Sequence, residues 1–167
     1  MDEHATGMAT GTILGRLAGA WRGTNGFRMM PTDDMLEAPA TAVVTIAAGG
    51  YDVVVTYTWS HPEDGPQEGV LLIGSPDEEN QAINAAWGDS WHQKPSLLVL
   101  SGSLADGRVE LTADYGGGWQ WTISLDGSRD DRLVLTMDNV VPADQATADV
   151  LAGPYPVMVT ELGRPAE

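Results

Sequence analysis

Nine consecutive residues, Asn84-Ala85-Ala86-Trp87-Gly88-Asp89-Ser90-Trp91-His92, gather two indoles, a carboxylate, a hydroxyl and an imidazole. In an extended chain alternate residues share a face. Trp87, Asp89 and Trp91 would then line one side, and Ala86, Gly88 and Ser90 the other. An aspartate between two indoles suits a pocket wall better than a solvated strand. Burial there would raise the carboxyl pKa and fit Asp89 for acid–base work, with His92 and Tyr57 as the other candidate proton carriers. The structural alternative is equally concrete. Asp89 would accept hydrogen bonds from Ser90, a backbone amide or an arginine, and so orient a turn at a strand end. His92, close to Lys94-Pro95, is expected at a solvated rim. No reaction follows from these residues alone.

Other chemistries find little support. A triad drawn from Ser90, His92 and Asp89 would ask near-adjacent residues of one strand to reach a geometry they rarely reach. His4, His61 and His92 lack metal-ligand spacing and there is no cysteine, so neither a metal nor a disulfide is expected. Gly116-Gly117-Gly118 has no lysine or helix signal behind it and reads as a hairpin turn, not a phosphate loop. No cofactor is expected. The net charge of -16, with Lys94 the only lysine, argues against nucleic acid, since no cationic stripe can release counterions. The acidity reads as a solubility device. The acidic start Met1-Asp2-Glu3-His4 leads into no apolar signal segment, and no apolar run approaches the ~18 residues of a membrane span. A cytoplasmic protein without membrane contact is the expectation.

The elements that must position these residues are strands. Apolar segments run over Ala40–Ala48, Tyr51–Ser60, Glu68–Ser75, Ala82–Trp91, Leu97–Leu104, Arg108–Tyr115, Gly118–Leu125, Leu133–Val141 and Tyr155–Leu162. Turn signals such as Gly49-Gly50, Asp106-Gly107 and Asp126-Gly127 separate them. With the segment around Trp21 this makes ten strands. Tyr51, Val53, Val55, Tyr57 and Trp59 alternate with polar residues, as do Val109, Leu111, Ala113 and Tyr115, and then Trp119, Trp121, Ile123 and Leu125. One apolar and one wet face per strand, with short turns and no long crossovers, predicts an all-β, antiparallel up-and-down barrel; a Greek-key sandwich is the second choice. It forms one domain over residues 13–167 behind a flexible tail over residues 1–12. A short helical turn is expected from Ile13 to Leu17, a loop from Met29 to Pro39, and a short helix between Pro142 and Gly153.

Several motifs carry a resemblance. Leu17-Ala18-Gly19-Ala20-Trp21-Arg22-Gly23 resembles the Gly-x-Trp opening strand of the calycin superfamily, which includes lipocalins, fatty-acid-binding proteins and nitrobindins. Gly74-Ser75-Pro76-Asp77, Ala86–Ser90, Leu100-Ser101-Gly102, Thr136-Met137 and Leu162-Gly163-Arg164 are similar, in that order, to the bacterial family called domain of unknown function fifteen seventy-nine. Leu162 stands where that family has Tyr, and Ser75-Pro76 follows Gly74 where it has Tyr-Asp, so the chain resembles a divergent member. The resemblance implies a lipocalin-like barrel and lends no activity. It also implies that a cation from the last strand, Arg164, covers Trp21 and closes the barrel base, a contact worth about 0.5–2 kcal/mol. A haem site of the nitrobindin type would need an inner-strand histidine near the C-terminus, and none follows His92.

Six tryptophans against a single Phe favour aromatics with a polar handle, which suit both an ordinary core and a pocket. The candidate lining set is Tyr57, Trp59, Trp87, Asp89, Trp91, Tyr115, Trp119, Trp121 and Met137. Two functions remain open. One is binding of a small, largely hydrophobic molecule inside the barrel. The other is a cofactor-free isomerase, cyclase or hydrolase acting on a hydrophobic metabolite, with Asp89 as acid or base. Self-association into a homodimer is left open beside both.

Overall fold

The computed structural model describes residues 8–166. A one-turn helix α1 (Thr10–Leu14) and a 3-10 turn lead into ten strands: β1 (Gly19–Phe27), β2 (Leu36–Ala47), β3 (Asp52–His61), β4 (Gly65–Ile73), β5 (Ile83–Asp89), β6 (Gln93–Ala105), β7 (Arg108–Gly116), β8 (Trp119–Asp126), β9 (Arg132–Val141) and β10 (Gly153–Gly163). Each strand pairs antiparallel with its sequence neighbours, and β1 pairs with β10, so the meander closes into a barrel. Strand accounts for 62% of the chain and helical turns for 9%.

The two-residue period decides which side chains fill the interior. Val53, Val55, Tyr57 and Trp59 are buried along β3, as are Val109, Leu111 and Ala113 along β7 and Trp121, Ile123 and Leu125 along β8. Two aromatic residues expected on these inward faces lie outside them. Tyr51 is exposed because it precedes β3, in the turn that Gly49 and Gly50 open. Tyr115 is half-exposed because the β7–β8 register shifts between Asp114 and Gly116, turning it toward the barrel rim. Asp106-Gly107 joins β6 to β7 as a two-residue turn with φ of 53° and 75°, the left-handed pair that matches strand twist.

Three expected connections differ. The loop predicted over Met29–Pro39 ends earlier, because β2 begins at Leu36. There β2 pairs with β1 alone, β3 joining only at Thr41, and a strand with one neighbour tolerates the missing N–H of Pro39. The helix expected between Pro142 and Gly153 is only a 3-10 turn over Ala143–Gln145. Beyond it Thr147 and Val150 bond each other through backbone and hydroxyl, which ends any helical run. The tail expected over residues 1–12 falls partly outside the described residues. Within them, Thr10 is buried and anchored, its amide donating to Ser75 Oγ (3.0 Å) and its hydroxyl to the Gly74 carbonyl (2.8 Å).

These contacts seat α1 against the turns at one end of the barrel, where Leu14 and Leu17 are fully buried. The same end holds Trp21, whose indole N–H donates to the Leu17 carbonyl (2.8 Å) and whose face carries the Arg164 guanidinium at 4.0 Å. Arg164 also donates to the carbonyls of Ala18 (3.0 Å) and Arg16 (2.6 Å), tying the last strand to the first. The opposite end is the one that collects the chemistry.

Candidate functional site: an aromatic barrel mouth

Tyr57, Gly69 and Asp89 lie side by side on β3, β4 and β5 in a single register line. Asp89 ends β5, just past a register shift that follows Trp87, and only 3% of it is exposed. Its Oδ1 accepts the backbone amides of Trp91 and His92, each at 2.9 Å, an Asx turn that folds the β5–β6 connection back over the barrel. Its Oδ2 accepts the Tyr57 hydroxyl (2.7 Å) and the Trp59 indole N–H (3.1 Å). The Tyr57 oxygen in turn accepts the Trp87 indole N–H at 2.8 Å. Gly69 makes this possible: a Cβ there would sit 2.2 Å from both Cζ and Oη of Tyr57. The phenol can pass over position 69 to reach Asp89 only because that position has no side chain.

Two oxygens with four donors leave no obvious place on Asp89 for a substrate proton. Burial, reinforced by the Asp89 charge, holds the Tyr57 phenol well above its ordinary pKa, so it remains a neutral hydroxyl. His92 moves the other way. Burial lowers it to about 4, against the pull of Asp89 and with a smaller push from His61, so the imidazole is neutral near pH 7. Its Nε2 lies 2.9 Å from Met158 Sδ. Ser90 points away, its hydroxyl donating to Gln67 Oε1 (2.7 Å) and accepting the Glu68 amide (3.0 Å). Ser90, His92 and Asp89 therefore form no triad.

The hairpin that Asp89 orients places two rings in the mouth. His92 stacks on Trp59 (5.2 Å between centroids, 22°) and meets Trp91 edge-on (4.8 Å, 82°). Trp91 stacks on His61 (4.7 Å, 20°) and donates its indole N–H to Asp64 (2.9 Å). The Nδ1 of His61 accepts the amides of Glu63 (3.1 Å) and Asp64 (3.0 Å). Phe27 packs against Trp59 and His61 at 5.2 and 4.9 Å. Across the mouth Trp87 and Trp121 stack almost parallel (5.3 Å, 12°).

A cavity of about 230 Å³ remains beside that pair, lined by Trp87, His92, Gln93, Leu98, Tyr115 and Trp121. The Trp121 indole nitrogen is buried with no hydrogen-bond partner, whereas the Trp59, Trp87 and Trp91 nitrogens each have one. Of the residues singled out in the sequence, Tyr57, Trp59, Trp87, Asp89 and Trp91 come together in one network, and Trp87, His92, Tyr115 and Trp121 line the cavity. Trp119 is half-buried at the start of β8, and Met137 is fully buried on β9 opposite Ile123; neither lines it. Phe27, His61, Gly69, Gln93, Leu98 and Met158 belong to the mouth and were not singled out. His61 carries a legible signal, since it continues the parity of Tyr57 and Trp59. Among the described residues no group of three His, Cys, Asp or Glu side chains could hold a metal ion. Among the described residues no helix is long and apolar enough to cross a membrane.

Fold and site together define a closed ten-stranded up-and-down barrel, plugged at one end and ringed by aromatics at the other. The chain matches no protein-family model, the family expected from its motifs included, and no curated protein. It is similar to a solved structure, the crystal structure of Rv2717c from M. tuberculosis, with a TM-score of 0.56 and 15% identity over 95% of this chain and 99% of that one. At that identity the likeness is one of fold.

Proposed function

We propose that the protein binds a small, uncharged, planar and largely hydrophobic molecule in the mouth cavity. The carrying observation is the 230 Å³ hollow beside the stacked Trp87–Trp121 pair, walled by four rings and by Leu98 and Gln93. Its size lies below the ~300–1,000 Å³ usual for drug-sized ligands, which suits one or two fused rings. No acidic or basic group lines it except His92, and burial keeps that neutral near pH 7. A charged ligand would enter without a counter-charge, and a buried unpaired charge is strongly disfavoured. The unpaired Trp121 N–H supplies a polar handle. An acceptor atom on the ligand, met by a small ring movement, would relieve a penalty of about 1–3 kcal/mol.

Catalysis with Asp89 as acid or base receives less support, because four protein donors already fill its oxygens. Fluorescence separates the readings of the cavity. Titration with 2-naphthol should quench tryptophan emission saturably, while 2-naphthoate, its charged counterpart at neutral pH, should not. Leu98→Trp, which fills the hollow, should abolish the quench with the fold intact by circular dichroism. A linear response to both probes, unaltered by Leu98→Trp, would remove the proposal.

A further inference from the structure

The outer wall divides into two unlike halves. Outward positions on β7–β10 carry charge, among them Arg108, Glu110, Asp126, Arg132 and Glu161. Outward positions along the middle of β2–β6 are uncharged except for Glu68 on β4. Two lateral rows run there in register. In one, Val54 pairs with Leu72, Leu72 with Ala86, and Ala86 with Val99; in the other, Val43 pairs with Thr56, Thr56 with Val70, and Val70 with Gly88. Leu97 lies across Gly88, its Cδ2 2.9 Å from where a Cβ would stand. Val43, Leu72 and Leu97 are exposed, and Val99 is 70% exposed. A shallow groove of about 520 Å³ crosses this wall, with Glu68 and Lys94 among its lining residues.

We infer that this wall is a dimerisation face on which two copies of the chain pack side by side. A monomer of net charge -16 needs no sparsely charged wall for solubility, and a like-charged copy approaches at least cost where charge is sparse. Complementarity at the groove favours a second copy. Lys94, the only lysine of the chain, has no carboxylate within ion-pair distance among the described residues, and neither Glu68 oxygen has a cation there. A twofold axis that set Lys94 of one copy against Glu68 of the partner subunit would form that pair twice, since an isologous contact repeats every pair. Five strands ~4.8 Å apart, with two outward residues ~7 Å apart on each, give a face of roughly 300 Å². That is well below the ~800 Å² per partner of a standard interface, the size class of weak, transient association. The inference is independent of what the mouth binds.

Sedimentation velocity over about 5–500 µM tests it, a range chosen to reach weak association. The weight-average mass should rise from monomer to dimer, and added salt should favour the dimer by screening two acidic copies. Val99→Lys should weaken association at least about tenfold, while Thr112→Lys on the charged wall leaves it unchanged. Lys94→Glu should weaken it, and adding Glu68→Lys should restore it by reversing both intermolecular pairs. A monomer at every concentration overturns the inference, and so does a dimer indifferent to Val99→Lys. A monomer that instead floats with neutral phosphatidylcholine vesicles through Val99 overturns it in favour of a bilayer surface.

Discussion

The two ends of the barrel use the same residue type for opposite purposes. At the plugged end Trp21 donates its N–H to Leu17, carries Arg164 on its face and lies among side chains such as Leu14 and Leu17 that leave it 1% exposed. At the mouth, five rings surround a carboxylate, and one of the indoles beside them, Trp121, is left without a partner next to a hollow. Indole count alone does not identify a pocket. The difference lies in whether each N–H is satisfied and whether room remains beside it.

Mutation can break that contrast at its strongest point. Asp89→Ala leaves a phenol, an indole and two backbone amides without their acceptor. It should cost about 3–5 kcal/mol in urea unfolding, the range that follows removal of one partner from a buried polar network. Asp89→Asn keeps the shape but exchanges one acceptor for a donor and should cost about 1–3 kcal/mol. A loss under about 0.5 kcal/mol for the alanine variant, the range of ordinary surface substitutions, would show that the network does not hold the mouth together.

Acid sharpens the contrast next. The His92 pKa is depressed to about 4 in the folded protein, from an unfolded value near 6.5. The unfolded chain therefore binds the extra proton first. Stability from this group is intact above about pH 6.5 and lost progressively as pH falls toward 4, on the order of 3 kcal/mol in all. The urea midpoint should fall with a shallower slope between pH 7 and 4.5 in His92→Gln than in the parent. Equal slopes would remove His92 from the acid response.

Smaller effects follow. Gly69→Ala should push the Tyr57 phenol off Asp89, costing about 1–3 kcal/mol as overpacking does, and altering near-ultraviolet dichroism from the linked indoles. At the other end Arg164→Ala should cost about 0.5–2 kcal/mol through the lost cation–π contact, without changing 2-naphthol titration. A change in ligand response there would mean that the two ends are not independent.

Much of this was legible in the chain because a closed sheet enforces a strict alternation. Val109, Leu111 and Ala113 point inward because Arg108, Glu110 and Thr112 must meet water, and the same period carries Trp87 and Asp89 to one face. Alternation fails where the ladder does. Tyr115 follows a register shift, and Trp91 and His92 lie beyond a strand end in a turn fixed by a side chain. The Tyr57–Gly69–Asp89 line joins residues 32 positions apart and depends on the registers of two strand pairs, which no local pattern states. The role of Gly69 is legible only once the phenol beside it is in place. Pro39 read as a loop because proline breaks an internal strand, whereas here it sits where β2 has one neighbour.

The central claim is that the mouth, and not the plugged end, accepts a neutral planar guest. The indole N–H resonances of the six tryptophans in a ¹⁵N-labelled sample test it residue by residue. Adding 2-naphthol should shift the Trp87 and Trp121 signals saturably, Trp121 most, and leave Trp21 in place. Unchanged signals throughout, or a Trp21 shift as large as that of Trp121, would contradict the account.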